Sequence, residues 1–354
     1  MSSMVTSEQV ARLAGVSRAT VSRVLNGSAN VSEETKKRIY AAVATLGYGA
    51  NAFARIASSE RSRLIALAFF GSEDGLSLSH LADTQYYFYL ELLHFIEREI
   101  ARESFDLFLP SKPYNTFDMV NDPETNYVLA LQKRQVEGVI TLALRQDDPR
   151  IQGLCRSTIP AVFIDSIFQG EHTTYVKSDY LDGARQATEH LLALGHRRIA
   201  CFIGDTTAIS GTERLFGYQQ AMARAGLIVD PHLVQHPGWE ARDAYQAAMK
   251  LLSERRDFTA IVAGSDMMAL GILRALHKHN IRVPEDMSLV GFDDIDQSEE
   301  ADPPLTTLRQ DKQALGQGAV QRLMQLIQGA SPPDPLNVPT RLIVRGSTGP
   351  APKC

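Results

Sequence analysis

The chain has 354 residues, 44% of them hydrophobic and 22% charged, with a net charge of −5, so it is an ordinary globular sequence, long enough for two or three domains and neither disordered nor fibrous. No segment reaches the ~18 uninterrupted apolar residues of a membrane span, and the N-terminus has neither the basic flank nor the apolar run of a secretory signal, so no membrane partner is expected. Cys155, Cys201 and Cys354 lie far apart and are odd in number, which excludes a disulfide framework and suits a cytoplasmic protein.

The charge is unevenly shared. Residues 1–62 carry eight basic side chains against four acidic ones, a net of +4, which leaves −9 on the remainder. A small basic module on a larger acidic body confines any contact with a polyanion to the first part. Thr6-Ser7-Glu8-Gln9 has the pattern of a capping box, and Val10, Leu13 and Ala14 give the helix behind it an apolar stripe until Gly15 stops it. Ser17 caps a second short helix over 18–25 with Val21, Val24 and Leu25 inward, and Asn26-Gly27 ends it. Ser32 caps a third over 33–46, with Ile39, Val43 and Leu46 inward.

Three helices joined across the tight Gly15-Val16 turn make a helix-turn-helix module of the DNA-binding kind. In such a module the first turn of the second helix lies nearest the base edges, which puts Arg18 and Ala19 foremost. Arg23 shares that outward surface, and its guanidinium can bond both acceptors of a guanine. Thr20, Ser22 and Asn26 are short polar groups suited to phosphates. Residues 58–62 read as a polar linker.

From Arg63 onward, short β-rich apolar runs at 64–70, 105–109, 136–142, 161–165, 199–203, 259–263 and 288–292 alternate with helical patterns such as 183–194, 214–225 and 243–254. This is a parallel α/β layout whose length suggests two doubly wound lobes. Ligands bind such sheets beyond the carboxyl ends of the strands, where Asp165, Asp179, Asp266 and Asp293 stand, although Asp also serves as a turn or cap residue there. His277-Lys278-His279 has a metal-like spacing but no third ligand, so no metal is expected. No GxGxxG follows the first strand, and GxxxxGK[ST], GxSxG and HExxH are absent, so neither a cofactor nor an enzymatic activity is expected.

Val10-Ala11, Ala14-Gly15-Val16-Ser17, Thr20-Val21-Ser22-Arg23-Val24-Leu25-Asn26, Val31-Ser32, Thr35 and Gly47-Tyr48 together resemble the headpiece of the lactose/galactose repressor family (LacI/GalR). Gly195-His196-Arg197-Arg198-Ile199, Arg214-Leu215-Phe216-Gly217-Tyr218, Met268-Ala269-Leu270-Gly271, Val290-Gly291-Phe292-Asp293-Asp294 and Pro304-Leu305-Thr306-Thr307 extend the resemblance over about residues 5–347. It implies a homodimeric bacterial repressor of a near-palindromic operator, in which the positions of Arg18 and Ala19 select the sequence. Asn51, Ala54, Arg55, Ile56 and Ala57 fall on the family's hinge helix, but its usual proline is Ala50 and its usual leucine wedge is Ala57. Either Ile56 replaces the wedge through a shifted helix phase, or this chain deforms DNA less than its relatives.

The resemblance also implies a periplasmic-binding-protein-like core whose two lobes close on a small molecule at three crossovers. It assigns ligand contacts to Arg214 and Asp266, lines the cleft with Trp239, Asp293 and Gln310, and brings Phe88 and Tyr89 near it, where core or dimer packing is the alternative. A guanidinium opposite a carboxylate, with a flat aromatic, suits a sugar, while a purine-like ligand stays open. The expected division is a headpiece at 1–48, a hinge and linker at 49–62, a core at 63–347 and a tail at 348–354; the N-terminal lobe takes 63–164 and 293–325, and the C-terminal lobe 165–292 and 326–347. The final nine residues carry no heptads, so a dimer rather than a tetramer is expected. The function expected is a sequence-specific transcriptional regulator controlled by a small molecule; the alternative, a sugar-binding protein of transport or sensing without a gene-regulatory role, leaves the basic headpiece unexplained.

Overall fold

The computed structural model describes residues 6–25, 31–45, 62–69, 87–109, 123–142 and 148–352. The chain divides into two compact units, Met1–Ser62 and Arg63–Cys354. Asn26 and the hinge positions Asn51, Ala54, Arg55, Ile56 and Ala57 lie outside the described residues.

The first unit contains α1 (Ser7–Ala14), α2 (Arg18–Leu25) and α3 (Glu33–Thr45). The Thr6 hydroxyl accepts the Gln9 N–H at 3.4 Å and the Thr6 N–H donates to Gln9 Oε1 at 2.8 Å, which satisfies two of the donors that a helix start leaves free. Gly15 ends α1 at φ 65°, a left-handed conformation that costs glycine nothing. Ser17 Oγ accepts the Thr20 N–H at 3.1 Å and so starts α2. Val10, Ala11, Ala14, Val21, Val24, Ile39 and Ala42 form the small core. Leu13, expected inward, is 53% exposed. Val10, Ala14 and Ala11 span one face of α1, and at ~100° per residue Leu13 falls roughly 60° beyond its edge.

The second unit has two parallel sheets. β1 (Leu64–Phe69), β2 (Asp106–Phe108), β3 (Gly138–Leu142), β4 (Ala161–Ile164), β5 (Thr173–Ser178) and β11 (Leu336–Val338) form the first, in the order β11-β5-β4-β3-β1-β2. Its central strands, Gly-Val-Ile-Thr-Leu and Ala-Val-Phe-Ile, are buried along their whole length, as strands covered on both faces must be. On one face α4 (Tyr87–Arg102) and α12 (Lys312–Ile327) set Leu92, Ile96, Leu315 and Leu323 against Ile65, Ile140, Val162 and Val176. On the other, α5 (Pro123–Lys133) and α6 (Pro149–Arg156) bring Tyr127, Leu131, Ile151 and Leu154 onto Val139 and Phe163.

The second sheet has the order β7-β6-β8-β9, from β6 (Ile199–Phe202), β7 (Val234–Gln235), β8 (Ala260–Ala263) and β9 (Ser288–Val290). α7 (Tyr180–Ala193) and α8 (Ile209–Arg224) cover one face, α9 (Ala241–Glu254) and α10 (Asp266–Lys278) the other. The short α11 (Asp296–Glu300) follows β9, and β10 (Thr307–Gln310) pairs antiparallel with β12 (Thr340–Ile343). Residues 293 and 309 form a parallel bridge that joins this ribbon to the end of β9.

Four expected boundaries change. The first lobe was taken to end at 164, but β5 lies beside β4 in parallel register, Ile164 opposite Val176, so the chain leaves the first layer only at Asp179. The first lobe was taken to resume at 293, but Asp293 bridges Arg309 and β10 pairs with β12 beside β9, so the chain stays with the second layer until Asp311. It was taken to leave the first layer again at 325, but β11 returns to pair with β5, Leu336 opposite Val176, and the crossing falls at Pro339. The segment set apart as a tail is fixed to the core: Thr348 Oγ1 lies 3.0 Å from His190 Nε2, the Gly349 N–H donates to Ser288 Oγ at 3.0 Å, and the Ala351 N–H donates to Leu194 O at 2.9 Å. In each case a long-range pairing, absent from any local pattern, takes up backbone groups that would otherwise stay unsatisfied.

α7 and α8 touch almost backbone to backbone at Gly217, where a Cβ would stand 2.2 Å from Leu181 O and 3.0 Å from Ala184 Cβ. Gly217→Ala is therefore expected to lower the stability of the second unit by about 1–3 kcal/mol, read from urea unfolding, despite the better helix propensity of alanine.

Candidate effector cleft and nucleic-acid interface

In the headpiece Arg18, Ala19, Ser22 and Arg23 are exposed on α2, while Val21 and Val24 of the same helix are buried. The helix thus offers two guanidinium groups outward from a buried anchor. Thr20 is half-buried and its hydroxyl lies 2.9 Å from Ser17 Oγ, so it also serves the start of the helix.

In the second unit, strand ends gather a polar cluster. Asp165 follows β4, Gly264 and Ser265 follow β8, Asp293 follows β9, and Gln310 closes β10. Asp165 at φ 64° and Asp293 at φ 122° are held in a region that non-glycine residues seldom occupy, which the neighbouring pairings enforce. The Asp165 N–H donates to Val176 O and the Asp293 N–H to Leu308 O, at 3.0 and 2.8 Å.

Arg214, in the second turn of α8, is 6% exposed. Its Nη1 donates to Gly264 O and its Nη2 to Asp293 Oδ1 at 3.3 Å. The guanidinium carbon lies 4.0 Å from the Phe292 ring centroid, 4.7 Å from that of Tyr180 and 5.3 Å from that of Trp239, so three ring faces surround the charge. Gln310 Nε2 donates to the same Asp293 oxygen at 2.7 Å. Among the described residues, Arg214 Nε and Gln310 Oε1 are buried without a hydrogen-bond partner, one donor and one acceptor. Trp239 lies flat against Gly204, where a Cβ would come within 2.1 Å of the indole.

Two further groups adjoin this nest. Tyr180, in the first turn of α7, donates its phenol to Asp165 Oδ1, and Tyr89 of α4 donates to Asp165 Oδ2 at 3.0 Å. Lys177, at the end of β5, pairs with Glu213 of α8 at 2.6 Å. Phe88 is 6% exposed within the first-sheet core beside Leu92, so of the two aromatic positions only Tyr89 reaches the cluster.

Asp266 is placed differently from the other expected ligands. It is fully buried, and its oxygens accept from Thr307 Oγ1 at 2.5 Å, Ser298 Oγ at 2.6 Å and the Ile295 N–H at 3.1 Å. This carboxylate ties α10 to α11 and β10 through these three bonds. Asp165 and Tyr180 were the members absent from the expected site; the end-of-strand rule singled out Asp165, but nothing local joins it to Tyr180.

Burial pushes the Asp293 carboxyl up to about 7 despite the adjacent Arg214, with buried Asp266 acting in the same direction. Burial also raises Asp165 and Asp266, which the phenols of Tyr180 and Tyr89, and the hydroxyls of Ser298 and Thr307, partly offset.

A helix-turn-helix unit followed by a two-sheet core with buried polar groups at facing strand ends defines a ligand-responsive DNA-binding regulator. Residues 7–51 match the model of the bacterial regulatory proteins of the lacI family, and residues 188–348 match the periplasmic binding protein-like domain. The HTH-type transcriptional regulator CelR of Thermobifida fusca is 35% identical over 345 residues, 97% of this chain and 98% of that protein. A structure of the transcriptional regulator CelR in complex with cellobiose superposes with a TM-score of 0.71 at 33% identity, covering 97% of this chain and 100% of the other. The Lac repressor dimer bound to operator and the anti-inducer ONPF superposes with a TM-score of 0.79 at 31% identity, covering 98% and 99%. The chain belongs to the LacI family of bacterial transcriptional regulators.

Because the folded carboxyl of Asp293 titrates near 7 and the unfolded one near ~4, the folded state holds the extra proton between those values, and this group's contribution to stability falls as pH rises through that window. Asp293→Asn removes the titration. The stability of the wild type relative to Asp293→Asn is expected to decline from about pH 5 to about pH 7, by at most ~1.4 kcal/mol per unit, and then to level off in paired urea titrations.

Proposed function

We propose that the protein is a dimeric repressor of a near-palindromic operator whose affinity is set by a neutral saccharide bound between the two layers of its core. The observation that carries this reading is the buried nest around Arg214, with an unpartnered donor on Arg214 and an unpartnered acceptor on Gln310 beside the Trp239 ring. A sugar hydroxyl both donates and accepts, and a pyranose face stacks on an indole. The CelR–cellobiose complex, at 33% identity over nearly the whole chain, supports the same class.

Arg214, Asp293, Gln310 and Trp239 are the effector contacts in this reading, with Asp165 and Tyr89 on the opposite layer. Asp266 acts at one remove, by holding the segment that carries Asp293. Charge selects the ligand further: the buried Arg214 is already paired with Asp293, and Asp165 is buried close by, so a phosphate or carboxylate on the sugar would bring an anion against buried carboxyl groups in a dry site. Arg18, Ala19 and Arg23 read bases, and Thr20, Ser22 and Asn26 meet the backbone. The protein catalyses no reaction and works in the cytoplasm with its DNA. Among the described residues no helix is long and apolar enough to cross a membrane.

Ligand control follows from differential binding. A saccharide that prefers one arrangement of the layers shifts the population, and the operator alters saccharide affinity by the same factor, typically ~1–3 kcal/mol of coupling. Release of the operator is the expected sign.

Thermal stabilisation by cellobiose, glucose, glucose 6-phosphate, glucuronate and hypoxanthine tests the ligand class; a neutral sugar is expected to raise Tm and the two anionic ones to have no effect. Arg214→Ala is expected to abolish the shift, and a saccharide that binds this variant as it binds the wild type would overturn the site. On DNA, Arg23→Ala is expected to cost about 1–3 kcal/mol on the specific site with little change in non-specific binding, measured by titration at one fixed salt concentration.

A further inference from the structure

Asp165 sits at the end of β4, in the first layer, and is 3% exposed. Each of its two oxygens is taken by a phenol: Oδ2 by Tyr89, from α4 of the same layer, and Oδ1 by Tyr180. Tyr180 belongs to the other layer. It opens α7, packs in the core of the second sheet with Ala187, Tyr218 and Phe292, and is 1% exposed. Its hydrogen bond to Asp165 therefore crosses from one layer to the other, and its ring covers the Arg214 guanidinium at 4.7 Å.

We infer that Tyr180 is a specificity-determining residue that competes with the effector for Asp165, so that binding must break a bond holding the two layers together. The inference rests on the saccharide reading of this cleft only for its ligand; the cross-layer bond stands on the geometry. Each oxygen of Asp165 has capacity for a further donor, but the residue is 3% exposed, so a sugar hydroxyl gains access to it only where one of the two phenols gives way. Tyr89 moves with Asp165, because both are carried by the first layer, whereas Tyr180 moves with the second. The Tyr180 bond is the one that a change in layer separation breaks without repacking either sheet.

Chemistry favours the exchange of a phenol for a sugar hydroxyl and disfavours other replacements. Both tyrosines are held neutral as donors, since burial raises their ionisation well above the ordinary value. The incoming group must therefore also be a neutral donor: an anion would meet the carboxylate directly, and an apolar group would leave an acceptor oxygen buried and unpaired. Once released, Tyr180 keeps its ring against the Arg214 guanidinium and near Phe292, whose centroid lies 6.0 Å away, so its apolar contacts survive the loss of the hydroxyl contact. The same residue thus tunes affinity through its hydroxyl and supports Arg214 through its ring.

Tyr180→Phe separates these two roles. In hydrogen–deuterium exchange on the full-length protein without ligand, the variant is expected to exchange several-fold faster at 165–170 and 180–184 while it melts cooperatively close to the wild type. In calorimetric titration with cellobiose it is expected to bind about tenfold more tightly, since one competitor for a charged acceptor is gone. Exchange at wild-type rates in both segments, or weaker cellobiose binding by the variant than by the wild type, would overturn the inference. Faster exchange together with no cellobiose binding by either protein would remove cellobiose as the ligand and leave the cross-layer bond established.

Discussion

A guanidinium buried between two sheets is the constraint on which the core depends. An isolated charge at the depth of Arg214 would cost many kcal/mol, so the chain must supply compensation in a fixed geometry. It does so with a carbonyl from the end of β8, a carboxylate from the end of β9 and three aromatic rings from α7, from the segment after β7 and from the end of β9. These groups come from distant parts of the sequence, and each has a backbone requirement. Trp239 can lie over the site because residue 204 has no side chain. Asp293 can turn its carboxylate inward because its own N–H is held by Leu308 O at a strained φ.

The neighbouring carboxylates divide the labour. Asp266 is a strut: through Ser298, Thr307 and the Ile295 N–H it fixes the loop between β9 and β10, and so places both Asp293 and Gln310. A Cβ at Gly291 would stand 2.1 Å from Asp266 Oδ1, which shows how closely the loop is drawn onto this carboxylate. Asp293 faces Arg214 and shares a single oxygen between it and Gln310. Asp165 stands at the end of β4 in the first layer and is satisfied by phenols from both layers rather than by a cation. Only the last two can change partners without dismantling the backbone around them.

This arrangement suits a switch. Among the described residues the chain passes between the layers at Asp179, Asp311 and Pro339, and the two aspartates cap the helices that begin there, α7 and α12. The layers are thereby joined by short capped connections with few internal degrees of freedom; Met267 and Ile295 also pack into the first-sheet core, while contacts such as Tyr180 to Asp165, Lys177 to Glu213 and Lys312 to Asp294 O are polar and exchangeable. Apolar packing resists graded deformation, whereas a hydrogen bond can be replaced by a ligand's own. In the proposed saccharide reading those bonds are where a ligand acts.

The sequence by itself determined what local chemistry can encode. The capping box at Thr6, the left-handed stop at Gly15 and the serine start at Ser17 depend on neighbours within four residues, so the headpiece helices are legible from one short stretch. The fully buried strands are legible because a continuous apolar run bounded by polar residues has few other solutions, and Asp165 at the end of β4 lies with the polar cluster at the carboxyl ends of the strands. What the tertiary structure decided depends on pairings between distant residues. The placement of β5 and β11 in the first sheet rests on register with β4 and with each other, which no local pattern contains. Asp266 and Asp293 look alike in sequence, each an aspartate just past a strand, and differ only in whether hydroxyls from β10 and α11 or a guanidinium from α8 meet them. Tyr180 and Asp165 lie fifteen residues apart on different layers, and their bond exists only because the chain turns from β5 into α7 at a single capped residue, Asp179.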